Sequence, residues 1–191
     1  MARPLLMNML AAVLAASAPL GAHAITRAIY IAPATMSVGP SGTYPTTGNI
    51  VAMYGDIDTT FGITFMLPPD YKANTPVKLR LLFGYAGAGA CTMVLGASRV
   101  TRVRPGQAPY ITDSPSVDGM TNDNVALVDL PANKVVTRVF QFSAPTKAPF
   151  ADQSAGDAFT VGFLRNGANP LDTCEAATIL WHAEVRYQAT Q

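Results

Sequence analysis

The stretch Val77-Lys78-Leu79-Arg80-Leu81-Leu82-Phe83-Gly84-Tyr85 decides the fold class. Val77, Leu79, Leu81, Phe83 and Tyr85 share one side of a period-2 chain, while Lys78 and Arg80 fall on the other, the pattern of a half-buried strand. Upstream, Phe61, Ile63, Phe65 and Leu67 alternate with Gly62, Thr64 and Met66 until Pro68-Pro69-Asp70 stops the run, since proline donates no ladder hydrogen bond. Downstream, Phe159, Val161 and Phe163 alternate with Thr160, Gly162 and Leu164. The closing run places Ile179, Trp181, Ala183, Val185 and Tyr187 on one face and Leu180, His182, Glu184 and Arg186 on the other. Weaker alternation covers residues 25–31, 50–54, 92–103, 124–130 and 135–142, between segments rich in Gly, Pro, Asn and Asp. Ala86-Gly87-Ala88-Gly89-Ala90 reads as a loop. No window sustains apolar residues at helical spacing. The expectation is an all-β chain of about eight to ten strands in a two-sheet antiparallel sandwich, jelly-roll-like in topology.

Residues 1–24 read as a secretory signal: Arg3 supplies a positive start, residues 5–14 an apolar core, and Ala22-His23-Ala24 a small-residue cleavage site ending at Ala24. Residues 25–191 are then expected to form a single domain, secreted or periplasmic, because no later stretch approaches the roughly 20 apolar residues of a membrane-spanning helix. The full chain carries 13 Lys and Arg against 12 Asp and Glu, and Arg3 is the only charged residue of the leader, so residues 25–191 are balanced in charge. The charged fraction of 13% is about half the usual ~25%. Such a chain has little field with which to attract nucleic acid or anionic lipid.

Cys91 and Cys174 are the only cysteines. Two thiols in a small exported domain most often pair, and a bridge closing a loop of roughly 80 residues stabilises by about 2–5 kcal/mol. Two cysteines and a histidine fall short of the four ligands of a structural zinc site.

Phe65-Met66-Leu67-Pro68-Pro69-Asp70-Tyr71, followed by Val77 to Phe83, resembles segments of uncharacterised jelly-roll domains in phage and bacterial proteins. The C-terminal phrase is similar to them too: Gly156-Asp157 precedes the strand of Phe159 to Arg165, a turn carries Asp172-Thr173, and a last alternating strand ends at Tyr187. The resemblance covers roughly two-thirds of the chain after the leader. It implies a sandwich serving as a structural or attachment module, with no shared catalytic residues to carry over.

Signatures of chemistry are sparse. No G-x-S-x-G pentapeptide offers a strained serine nucleophile, and neither a phosphate-binding G-x-x-x-x-G-K-[ST] nor an H-E-x-x-H zinc motif occurs. His182, the one histidine beyond the leader, falls by alternation on the solvent face, and a bridged cysteine has no thiolate. Asp56, Asp58, Asp70, Asp113, Asp118 and Glu184 are candidates for a glycosidase carboxylate pair, but nothing in the sequence selects two of them. Asp113, Asp118, Asn122, Asp123 and Asn124 form one oxygen-rich cluster of the kind calcium takes, without EF-hand spacing. Tyr44, Tyr54, Tyr71, Tyr85 and Tyr110 are candidate stacking platforms for sugars, whereas Trp181 is expected in the core.

The sequence therefore favours a non-enzymatic structural or interaction module, with a protein partner or self-association ranked above carbohydrate. A carbohydrate-binding module, with or without a structural calcium, is the alternative, and an exposed aromatic row on one sheet or loop rim would favour it. A glycoside hydrolase ranks third. A chaperone–usher fimbrial subunit fits poorly, because Tyr187 is followed by four residues and Cys174 lies late in the chain.

Overall fold

The computed structural model describes residues 25–32, 35–39, 50–55, 57–112, 125–142 and 152–190. Ala24 and the oxygen-rich cluster of Asp113, Asp118, Asn122, Asp123 and Asn124 lie outside the described residues, as do Tyr44 and Asp56. The described residues form strands β1 (Ile25–Ile31), β2 (Ser37–Val38), β3 (Val51–Met53), β4 (Thr59–Met66), β5 (Val77–Tyr85), β6 (Cys91–Val103), β7 (Tyr110–Thr112), β8 (Val125–Leu130), β9 (Val136–Phe142), β10 (Ala158–Arg165) and β11 (Thr178–Ala189). The expected strands all appear, within a residue or two at either end. The count of about eight to ten is exceeded because the short β2 and β7 pair with sheet neighbours without any alternating pattern of their own.

Two antiparallel sheets result. One runs β1-β11-β5-β9, with β3 also on β11, and the other runs β2-β4-β10-β6-β7, with β8 also on β6. Setting aside β1, β2 and β7, the sheets are ordered β3-β11-β5-β9 and β4-β10-β6-β8. The chain thus passes from one sheet to the other at every step but β6 to β8, which is jelly-roll topology.

Alternation fills the space between the sheets. Phe163 on β10 stands opposite Phe61 on β4 with ring centroids 5.1 Å apart, and Phe159 opposite Phe65 at 5.5 Å. Phe140 of β9, on the facing sheet, tilts onto Phe163 at 5.5 Å. That contact ties the sheets together, and each such ring pair adds about 0.5–1.5 kcal/mol beyond its area burial.

Polar anchors hold both ends of the sandwich. Arg165 continues the inner face of β10 and is 0% exposed. Its Nε and Nη2 donate to the two oxygens of Asp172 at 3.0 and 2.8 Å, and Nη1 donates to the Met53 carbonyl at 2.8 Å. Asp172 also accepts the Val94 and Cys174 amides at 3.0 and 3.1 Å. The Cys91–Cys174 bridge expected from the sequence is present beside this node, with Cα atoms 5.0 Å apart. At the other end Gly156 takes a positive φ of 84° in the turn, which brings the fully buried Asp157 onto Arg104 through contacts of 2.6 and 2.7 Å. Burial raises the Asp157 pKa, and hydrogen bonds from Arg104 and the Ser154 amide more than reverse this, holding the carboxyl below its ordinary range.

Arg165→Met leaves Asp172 buried without its cation, and should cost about 3–5 kcal/mol in a chemical denaturation experiment. A loss under about 1 kcal/mol would show that the node does not brace the fold. Because the folded pKa of Asp157 is depressed, its contribution is complete above the unfolded value near pH ~4 and disappears as pH falls through the folded value. Denaturation midpoints measured between about pH 2 and 6 should fall less steeply on the acid side in Asp157→Asn than in the parent; parallel curves would contradict the linkage.

Candidate functional site

β11 pairs with β1 and β3 on one edge and with β5 on the other. Its register with β5 shifts between Leu180 and His182: Leu180 stands opposite Phe83 and His182 opposite Leu82, so Trp181 has no partner on β5. This is a β-bulge, one extra residue that breaks the alternation of its strand. Leu180, expected at the surface, is 0% exposed, and Trp181, expected in the core, is 46% exposed. The expectation for Trp181 is therefore corrected, and the inserted residue is the cause.

The indole lies over Gly84 on the outer face of β5. A Cβ added there would come within 2.5 Å of Trp181 Nε1, so the close approach requires glycine. His182 follows on the same outer face, as expected, and its ring centroid is 5.5 Å from that of Tyr30, which is 71% exposed on β1. Trp181, His182 and Tyr30 thus form an aromatic row across the outer face of the five-stranded sheet.

Beside the row, Glu184 stands between Tyr30 of β1 and Arg80 of β5. Though on the outer face, it is only 3% exposed, because Arg80 and Arg186 cover it with ion pairs. Burial raises its pKa, and the hydrogen bonds from Arg186 and Arg80 outweigh that, so the carboxyl stays below its ordinary range. A carboxylate held ionised between two guanidinium groups is a poor proton donor. Asp70, a second glycosidase candidate, is engaged by Arg27 and accepts the Tyr187 hydroxyl at 3.1 Å. Among the described residues, the side-chain hydrogen bonds of Glu184 and Asp70 come from arginines and a tyrosine hydroxyl. Asp58, a third candidate, is exposed just before β4. Among the described residues, no group of three or more His, Cys, Asp or Glu side chains is placed to hold a metal ion.

The outer face of the other sheet carries a groove of about 450 Å³. Gly62 and Gly162 stand opposite each other on its floor, with Ser37, Thr60, Ser98 and Thr160 around them. Phe61 and Phe163 border it but are buried in the core, so among the described residues no aromatic face is open to a ligand there. Of the other tyrosines proposed as platforms, Tyr54 and Tyr110 are exposed, Tyr85 is half-buried and Tyr71 is in the core. Tyr71 donates to the Thr75 carbonyl. Tyr30 is not among the sequence candidates, although it lies on the polar side of the alternation in residues 25–31, opposite Ile29 and Ile31.

No family model and no curated protein matches this sequence. Solved structures similar to the fold include the CBM22-1 xylan-binding domain of Xyn10C from Paenibacillus barcinonensis, 13% identical, covering 85% of this chain and 86% of that one at a TM-score of 0.38. They also include CBM35 from Cellvibrio japonicus Abf62, 10% identical, covering 86% and 99% at a TM-score of 0.42. A third is the family 11 carbohydrate-binding module from Clostridium thermocellum, in complex with a β-1,3-1,4-mixed-linked tetrasaccharide, 12% identical, covering 84% and 87% at a TM-score of 0.35. At these identities the likeness is one of β-sandwich fold. The ranking of a protein partner or self-association above carbohydrate is corrected here: these similar structures are carbohydrate-binding modules.

Proposed function

We propose that this chain is an exported, non-catalytic carbohydrate-binding module that seats a sugar chain across Trp181, His182 and Tyr30. The observation that carries the reading is the exposed aromatic row, with the indole turned outward by the bulge and lying over Gly84. The C–H faces of a pyranose ring are apolar and its rim is polar. A flat indole offers the first a desolvating surface, while charged groups at the edge serve the second. Arg80, Arg186 and the amide side chain of Gln188 lie along the same face for that purpose. A platform built on paired strands is also rigid before binding, so little entropy is lost in ordering it. The Cys91–Cys174 bridge supports export, because such bonds persist in oxidising compartments.

Binding to a panel of plant and bacterial polysaccharides, by affinity electrophoresis and then calorimetry, tests the reading. Trp181→Ala should weaken the best ligand tenfold or more, at least about 1.4 kcal/mol, while the melting temperature changes little, since the ring is not part of the core. Gly84→Ala keeps the indole but displaces it, and should weaken binding by a smaller factor. Parental affinity in Trp181→Ala, or no polysaccharide bound by the parent, would contradict the proposal.

A further inference from the structure

The outer face bearing the aromatic row is positively charged at its far end. Lys78, Arg80 and Arg186 occupy β5 and β11 there, and Glu184 is the only acid among the outward side chains of those two strands. Beyond the Arg80–Glu184 pair, a cleft of about 340 Å³ is bordered by Lys78, Arg186, Gln141, Gln188 and Thr26, with no carboxylate lining it among the described residues. In a chain with so few charges overall, this grouping is not the average surface.

Lys78 and Arg186 stand directly opposite each other across the strands. Like charges in that position repel, and an anion lodged between them removes the repulsion. Arg186 uses its Nε on Glu184, and its terminal nitrogens make no hydrogen bond among the described residues. Those nitrogens and the Lys78 ammonium are donors suited to an oxyanion, which a guanidinium binds through paired hydrogen bonds. Arg186 lies four residue steps along β11 from His182, about 13–14 Å at strand rise, so one short oligosaccharide reaches both the rings and the cleft.

We propose that the cleft recognises an anionic group on the bound polysaccharide, a uronate carboxylate or a sulfate ester, which makes the ligand an acidic glycan. This rests on the reading of the aromatic row as the sugar platform, and the experiment separates the two. Affinity of the disulfide-bonded protein would be measured by calorimetry at low and high salt for oligogalacturonate, the same oligomer after carboxyl reduction, and a sulfated galactan. The expected result is a preference of about tenfold for an anionic oligomer over the reduced one, the size of one charge-assisted hydrogen bond, declining with salt. Tighter binding of oligogalacturonate assigns the cleft to carboxylates, and tighter binding of the galactan assigns it to sulfate esters.

Lys78→Glu should reverse the preference. Lys78 is exposed and outside the core, so its fold should survive, as a parental melting temperature would confirm. Equal affinity for charged and reduced oligomers overturns the acidic-glycan inference and leaves the sugar platform standing. Anion-selective binding that survives Trp181→Ala but fails in Lys78→Glu supports the cleft while overturning the platform. Binding of none of the three overturns the acidic-glycan inference, and the platform falls with it only where no polysaccharide of the wider panel binds the parent.

Discussion

A strand hydrogen-bonded on both edges has no freedom to slide, and β11 is held by β1 and β3 on one side and by β5 on the other. An extra residue in such a strand must leave the ladder rather than shift it. Here that residue is Trp181, and the alternation on either side is satisfied only because it is expelled. Leu180 meets Phe83 inside, Ala183 and Val185 continue the core, and the indole takes the outer surface over Gly84. The core of one face and the aromatic row of the other therefore have the same cause.

The anchors at the two ends make this placement durable. Arg165 reaches from β10 to the Met53 carbonyl on β3 and to Asp172 and Cys174 in the segment leading into β11, and the disulfide ties that segment to β6. The start of β11, where the bulge sits, is thus fixed to both sheets. A buried ion pair is an expensive way to gain stability compared with an apolar cluster. It does supply directional hydrogen bonds, and the carbonyls and amides around it would otherwise be left unpaired.

Much of the sandwich was legible because period-2 patterning is a property of single strands. The strongly alternating runs at Phe61 to Leu67, Val77 to Tyr85 and Phe159 to Phe163 gave the inner faces correctly, and the cysteine pairing was expected from the count of two cysteines and an anticipated export. The register shift in β11 was not legible, since it depends on which partner residues stand opposite, and that is fixed by tertiary pairing. A local clue existed in Leu180-Trp181, two large apolar residues in succession, set against a glycine at position 84 in the neighbouring run. Taking strict alternation through the whole of β11 put Trp181 inside and hid the aromatic row. Arg165, at the next inward position after Phe163, was equally readable as buried. Gly156-Asp157 and Asp172, which read as turn residues, do end turns, the Asp157 and Asp172 amides donating to the Ser154 and Asn169 carbonyls, and the two carboxylates also bind Arg104 and the buried Arg165.

The central claim is that the indole on the outer face is a ligand platform, and the composition of the chain offers a direct probe of it. Trp181 is the only tryptophan, so emission excited at the red edge of the aromatic band, where tyrosine does not absorb, reports on that ring alone. The measurement is acrylamide quenching of the protein with and without a saturating oligosaccharide whose binding has been established by calorimetry. The account predicts ready quenching of the free protein and marked protection, with a blue-shifted emission, when the sugar is bound. An indole that remains as quenchable and as red-shifted in the saturated complex as in the free protein would contradict it.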